Sequence, residues 1–228
     1  MLNPNDITGQ MTLQLHLQRY EFAAKHLKSG RVLDIACGVG YGTHFIADNV
    51  TQITEAIGVD ICEEAIQHAI LHYSDRRVQF HQHDAMTFTD DIGYDSIVSL
   101  ETLEHVSEPA TLIKHLYELL RSEGMFIASV PTTPGVDVNR YHFHDFTERS
   151  FRNMVRVHGF TEIASLIQVQ PYPLMKTLRR EESRMQDMRQ DLVSYYLHHP
   201  KALAKRLWST LRYGFTNRFL TVAWKKRS

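Results

Sequence analysis

The chain has 228 residues and only two cysteines, Cys37 and Cys62. Two thiols make no disulfide framework and no zinc cluster, and they suit a reducing compartment. No apolar run approaches the ~18 residues that a membrane-spanning helix needs. The opening, MLNPNDITGQ, has neither a basic n-region nor an apolar core, so no secretory signal is expected and a cytoplasmic location is. There is no internal repeat and no low-complexity stretch. Acidic residues stop early: from Leu192 onward there is no Asp or Glu, while Lys201, Lys205, Arg206, Arg212, Arg218, Lys225, Lys226 and Arg227 follow. The formal net charge of −1 therefore hides a basic tail of +8 behind a body of 17 basic and 26 acidic groups. That asymmetry speaks against a uniformly basic nucleic-acid binder and for a basic C-terminal surface.

What is present is an ordinary apolar fraction of 43%, enough for a globular α/β domain and too much for a disordered chain. Met11 to Leu27 reads as a helix stopped by Ser29-Gly30. Short apolar runs of strand type follow at Arg31–Ala36, Glu55–Asp60, Arg77–His81, Tyr94–Leu100 and Gly124–Val130. Helical stretches alternate with them at Thr43–Val50, Glu63–Tyr73 and Pro109–Arg121. This alternation predicts a doubly wound, mostly parallel sheet covered on both faces. Thr147 to His158 reads as a further helix, and Thr161–Val169 and Asn217–Lys225 as two late strands, seven in all. Residues 1–228 are expected to form one domain, with 1–29 as a helical cap and 171–216 as a helical insertion before the last strand. Within that insertion, Leu174–Leu197 reads as a charged helix, a lid or a contact between copies of the chain.

The first strand runs into Asp34-Ile-Ala-Cys-Gly38-Val-Gly40-Tyr-Gly42. Glycines between a strand and a helix let a ligand approach the backbone at the C-terminal edge of the sheet. A dinucleotide fingerprint would need glycine at position 43, where Thr43 stands, so a dehydrogenase is disfavoured. Asp34 would repel a pyrophosphate and suits a ligand carrying positive charge. VLDIACGVGYG resembles the first motif of the class I S-adenosylmethionine-dependent methyltransferases. Ala36 is the one departure, at a place where glycine is commoner. Gly58-Val-Asp60 resembles the second motif, whose acid accepts ribose hydroxyls, and His83-Asp84-Ala85 the third, whose acid takes the adenine amino group. The resemblance covers residues 30–170 and implies a seven-stranded Rossmann-like fold with an antiparallel final strand. It also implies S-adenosylmethionine as cofactor, lined by Asp34, Ala36, Gly38, Gly40, Asp60, Ile61, Asp84, Ala85 and Leu100. Tyr20 stands in a segment that in this family closes over the cofactor; packing of its helix on the sheet is the other reading.

After the fourth strand comes Glu101-Thr-Leu-Glu104-His105-Val. His105 has the chemistry of a general base on an acceptor hydroxyl, with Glu104 beside it. On one helical turn Glu101, Glu104 and His105 share a face, and two oxygens with one nitrogen suit Mg²⁺ or Mn²⁺. The E-x-x-E-H-V string resembles the ubiquinone-pathway O-methyltransferases and the small-RNA 3′-terminal 2′-O-methyltransferases. In the latter two Glu and two His bind a metal, which implies His142 of His142-Phe-His144-Asp145-Phe146-Thr147 as the fourth ligand, with His144 a near alternative. Many small-molecule methyltransferases carry L-E-H-V without a metal. Leu15 to Ala23 resembles a subgroup found with bacterial glycan biosynthesis, which implies a small, sugar-derived acceptor, free, nucleotide-linked or lipid-linked. A quinone-like phenol, an RNA terminus, or cofactor binding without catalysis are the rivals. The Lys201–Tyr213 segment, with Leu203, Leu207 and Leu211 at spacing four, reads in two ways. It is either a helix for an anionic membrane surface or pyrophosphate, or a helix packed on the domain with a solvated basic side.

Overall fold

The computed structural model describes residues 7–171, 189 and 191–227, with the backbone alone for 7–10. Seven strands form one sheet: β1 (Gly30–Ile35), β2 (Ile53–Asp60), β3 (Val78–Gln82), β4 (Tyr94–Leu100), β5 (Leu120–Pro131), β6 (Phe160–Pro171) and β7 (Thr216–Lys226). Their spatial order is β3-β2-β1-β4-β5-β7-β6. The first five pair in parallel, and β7 runs antiparallel to both β5 and β6. The fold is thus the doubly wound, mostly parallel sheet that the alternating pattern predicts, with the seven-stranded, Rossmann-like order and antiparallel final strand that the resemblance implies.

Helix α1 (Ile7–Ala24) precedes β1; α2 (Tyr41–Asn49), α3 (Glu63–Tyr73) and α4 (Pro109–Leu119) cross between parallel strands, followed by α5 (Glu148–Arg156). Pro109 opens α4, where its missing N–H costs nothing. Thr147 and Ser150 close a capping box on α5. The central strands β1 and β4 are buried almost throughout because helices cover both faces. Two apolar clusters result, one on each face: Leu33, Ile97, Phe126 and Trp224 belong to one, and Val32, Ile46, Val98 and Ile127 to the other. Strand β6, at the sheet edge, alternates between covered and exposed residues instead.

The insertion between β6 and β7 contains α6 (Leu192–His198) and α7 (Pro200–Tyr213). The part of the expected Leu174–Leu197 helix at 174–188 lies outside the described residues. Helix α7 is packed on the domain, as one of its two readings expects, but through basic residues. Arg206 points inward, with Nε and Nη2 donating to Asp137 at 2.9 and 2.5 Å and Nη2 also to the Pro134 carbonyl at 2.6 Å. Its neighbour Lys205 donates to Asp145 at 2.7 Å. The ion pairs therefore set which side of α7 faces the domain, and they leave Leu203, Leu207, Trp208 and Leu211 exposed.

The strand order reverses between β1 and β4, which pair with Ile35 opposite Ser99. A parallel doubly wound sheet opens a crevice at this reversal, outside the carboxyl ends of its strands. The glycine turn after β1 and the Glu101–His105 segment after β4 are the two walls of that crevice.

Candidate active site

The turn after β1 is shaped by left-handed backbone. Gly38 and Gly40 have φ of 57° and 87°, and Ala36 has φ of 58°. For alanine this conformation costs about 1–2 kcal/mol, so Ala36 is strained. A Cβ added at Gly38 would meet nothing within 4 Å, so that side of the turn faces open space. A Cβ at Gly40 would fall 2.5–2.8 Å from Ala69 and Phe80, and one at Gly42 1.9 Å from the Tyr20 ring. Gly40 thus lets the turn close on the sheet, and Gly42 admits Tyr20.

Tyr20 is buried, and its hydroxyl donates to Asp34 Oδ2 at 3.1 Å. The Thr43 hydroxyl donates to the same oxygen at 2.7 Å. Tyr20 therefore both packs α1 on the turn and orients the acid beneath it. Burial pushes the Asp34 carboxyl up to about 7, against these two hydrogen bonds and with a further push from Asp60. Asp60, at the end of β2, accepts from the backbone N–H of Gly38 at 2.8 Å and of Cys62 at 2.9 Å. It ties the second loop to the glycine turn. Ile61 beside it is exposed. Asp84 is exposed and accepts from the Met86 N–H at 2.8 Å, and Ala85 packs against the core. Leu100 is buried at the end of β4.

The second wall begins with Glu101, another non-glycine residue in left-handed backbone, at φ 53°. Ser129 donates to its Oε1 at 2.7 Å. Leu103–His105 then make a single 3₁₀ turn. Glu104 is 1% exposed, and its Oε2 has no hydrogen-bond partner. Burial, then the charge of Glu101, holds this carboxyl well above the usual carboxylate range. His105 is 41% exposed at the mouth, with Nε2 4.0 Å from Glu104 Oε1. Its Nδ1 lies 3.1 Å from the Tyr141 carbonyl. A carbonyl only accepts, so Nδ1 carries the proton and Nε2 of the neutral ring keeps its lone pair.

His142 arrives from the loop after β5. Its ring meets that of His105 edge-on, with centroids 4.6 Å apart. Burial, then the nearby His105, pushes His142 down to about 4, so it is neutral at physiological pH. Its Nδ1 is buried without a partner. Gly135 makes room for it, since a Cβ there would sit 2.6 Å from that nitrogen. Asp145 shapes this loop by accepting from the Gly135 and Val136 N–H groups at 2.6 and 3.0 Å. Glu104, His105 and His142 each offer a ligand atom within 4.8 Å of the others. Glu101 is not in that group, being held by Ser129. His144 lies elsewhere, its Nε2 3.0 Å from the Ser107 carbonyl.

One site residue escapes sequence reasoning. Arg19 on α1 is 1% exposed, donates through Nε to Gln168 Oε1 at 2.8 Å, and lies over the Phe219 ring. Its Nη1 is 3.9 Å from Glu101 Oε1 and makes no hydrogen bond. A buried cation with an unsatisfied donor beside the crevice fits an anionic group that the site receives.

The family comparison agrees with this architecture. A model described as a methyltransferase domain matches residues 9–166. Phosphoethanolamine N-methyltransferase 3 of Arabidopsis thaliana is 26% identical over 182 residues, which span 74% of this chain and 36% of that protein. The ubiquinone biosynthesis O-methyltransferase of Aeromonas salmonicida is 31% identical over 110 residues, spanning 46% of this chain and 44% of that one. Among solved structures, the N-methyltransferase NodS of Bradyrhizobium japonicum with S-adenosyl-L-homocysteine superposes with a TM-score of 0.62. It is 14% identical and covers 99% of this chain and 91% of its own. The chain spans between 36% and 62% of the length of curated relatives that it matches. With the family model covering more than half of its residues and the crevice built as described, the chain belongs to the methyltransferase-domain family.

Proposed function

We propose that the chain is an S-adenosylmethionine-dependent methyltransferase acting on a hydroxyl of a small, sugar-derived acceptor, with His105 as general base. The observation that carries this reading is the placement of His105 Nε2 at the mouth of the crevice, 4.0 Å from the buried Glu104. When bound, S-adenosylmethionine supplies a methyl group on a sulfonium, which leaves readily, so the protein's task is alignment and proton removal.

The residues present fit that cofactor. Open space beside Gly38 admits it to the turn. Asp34 lies beneath as counter-charge to its cationic end, and Arg19 Nη1, 3.9 Å from Glu101 and without a hydrogen bond, could turn to its carboxylate. Asp60 offers a carboxylate for the ribose, Asp84 and the backbone beside it would read the adenine, and Ile61 and Leu100 would complete the cofactor lining. His105 Nε2 accepts the acceptor's proton beside the buried Glu104 carboxyl 4.0 Å away, whose ionisation the new imidazolium would favour. His142 stays neutral and buttresses the ring.

As an alternative to general-base catalysis, Glu104, His105 and His142 would hold a divalent ion, because two of them carry buried, unsatisfied atoms. One carboxylate and two imidazoles suit Mn²⁺ better than Mg²⁺, and His105 Nε2 would then be a ligand and not the base. Such an ion would lower the pKa of the acceptor hydroxyl. Glu101 is the least suited of the four expected ligands, since Ser129 and Arg19 already occupy its neighbourhood.

Two outcomes are expected. Labelled methyl from S-adenosylmethionine should pass to hydroxylated sugars and sugar conjugates, and not to amines of matched size. Preferential labelling of phosphoethanolamine or a quinone-like phenol would overturn the acceptor assignment. Chelator treatment in the same assay reads whether the ion contributes. Cofactor affinity should also depend on pH. Asp34 must be ionised to meet the cationic ligand, and burial holds it near 7, so binding releases a proton and strengthens as pH rises. Calorimetry at pH 6.0 and 7.5 should show binding about eightfold tighter at the higher pH. In Asp34→Asn that dependence should vanish, and a flat wild-type profile would remove the ion-pair role.

A further inference from the structure

Helix α7 is amphipathic in the reverse sense. Its inward residues, Ala202, Arg206, Ser209 and Thr210, are partly covered, and none of its residues is fully buried. At 3.6 residues per turn, Leu203, Leu207 and Leu211 form one stripe with Trp208 beside it. All four are exposed, Trp208 at 66% and Leu211 at 84%. Val193 and Leu197 on the preceding α6 are exposed too. A soluble monomer rarely leaves a contiguous apolar surface uncovered.

The charges around the stripe name its occupant. Lys201 and Arg212 border it and are exposed, and residues 192–213 contain no acid at all. The acidic surplus of the chain lies wholly in residues 1–191. A second copy seated stripe to stripe would bring the same two cations together. An anionic lipid surface meets both the leucines and the cations, and Trp208 is the residue type that settles at such an interface. We infer that the exposed face of α7 docks the protein on an anionic membrane surface.

The docking face is joined to the catalytic mouth. Arg206 and Tyr196 both reach Asp137, and Lys205 reaches Asp145, in the loop that carries His142. A protein lying on α7 therefore holds that loop close to the lipid headgroups, where a lipid-linked acceptor would present its hydroxyls. The membrane inference itself does not depend on the methyl-transfer reading, since lipid binding is measured without turnover.

The test is flotation of the full chain with vesicles of phosphatidylcholine, alone or with about one-third phosphatidylglycerol. Binding is expected to the anionic vesicles only, falling with salt. Trp224 is fully buried, so a blue shift of tryptophan emission on those vesicles reports Trp208. Leu207→Asp/Leu211→Asp should lower partitioning at least about tenfold, and Lys201→Gln/Arg212→Gln by about tenfold. Equal binding to neutral vesicles, or none to either, overturns the inference. So does a concentration-dependent dimer that Leu207→Asp/Leu211→Asp abolishes, which assigns the stripe to a second copy. A Trp208 emission, taken as the difference between wild type and Trp208→Phe, that is already blue-shifted in the free monomer assigns the stripe to a cover from the chain itself.

Discussion

Replacing His105 with alanine should lower kcat by about 10²–10⁴-fold while leaving cofactor affinity nearly unchanged. The reason lies in the placement of one proton. The Tyr141 carbonyl takes the Nδ1–H, which leaves Nε2 as a lone pair at the solvent-facing mouth. Glu104 is buried behind it, with one oxygen 4.0 Å from Nε2. Removing the imidazole removes the proton acceptor but touches neither the glycine turn nor Asp60. His105→Gln keeps a polar side chain without a basic nitrogen and should be nearly as slow. Single-turnover rates and calorimetric affinity for both variants separate the two effects. A variant that retains kcat within a factor of about three would exclude general-base catalysis by this residue. Loss of cofactor binding together with rate would instead make His105 part of the cofactor site.

Replacing Arg19 with methionine should weaken S-adenosylhomocysteine binding by roughly 10–100-fold. A hydrogen bond to a charged group contributes about 1.5–3 kcal/mol, and about 1.4 kcal/mol is tenfold in affinity. Arg19 also braces α1 against β6 through Gln168 and lies over Phe219, so its loss destabilises the fold as well. The ligand series distinguishes the two roles. 5′-Methylthioadenosine lacks the carboxylate, and its binding should hardly change in Arg19→Met. An equal loss for both ligands would show that Arg19 serves only to hold the helix. Arg19→Lys keeps the charge without the planar fork and should fall between wild type and Arg19→Met.

How much of this was legible beforehand follows from the kind of signal each residue leaves. The strands announce themselves as apolar runs between turn residues, and Tyr94–Leu100 is placed to the residue. Strand β5 begins earlier than its glycine suggests, at Leu120, because the chain leaves α4 directly into pairing with β4. The glycine turn and the Glu104-His105 pair are local motifs, so their residues are readable one by one. Their juxtaposition follows from the alternating pattern, which puts the ends of β1 and β4 on one edge. Arg19 left no such mark. Within a helix an arginine reads as a solvated cation, and its burial depends on Gln168 and Phe219, about 150 and 200 positions away along the chain. The facing of α7 was equally hidden. The spacing of Leu203, Leu207 and Leu211 defines a stripe but not its direction, which Asp137 and Asp145 decide from the β5–α5 loop.

Strand β7 has a consequence for how the protein is made. It sits between β5 and β6, although both precede it in the chain. Until the ribosome has delivered β7, β6 has no strand partner and one side of β5 is an open edge. The antiparallel pairing that closes the sheet also joins residues as distant as Met125 and Lys225. Such long-range closure is slow, and open edges recruit other chains while they wait. Nascent chains stalled before Thr216 are the species that chaperones would have to shield.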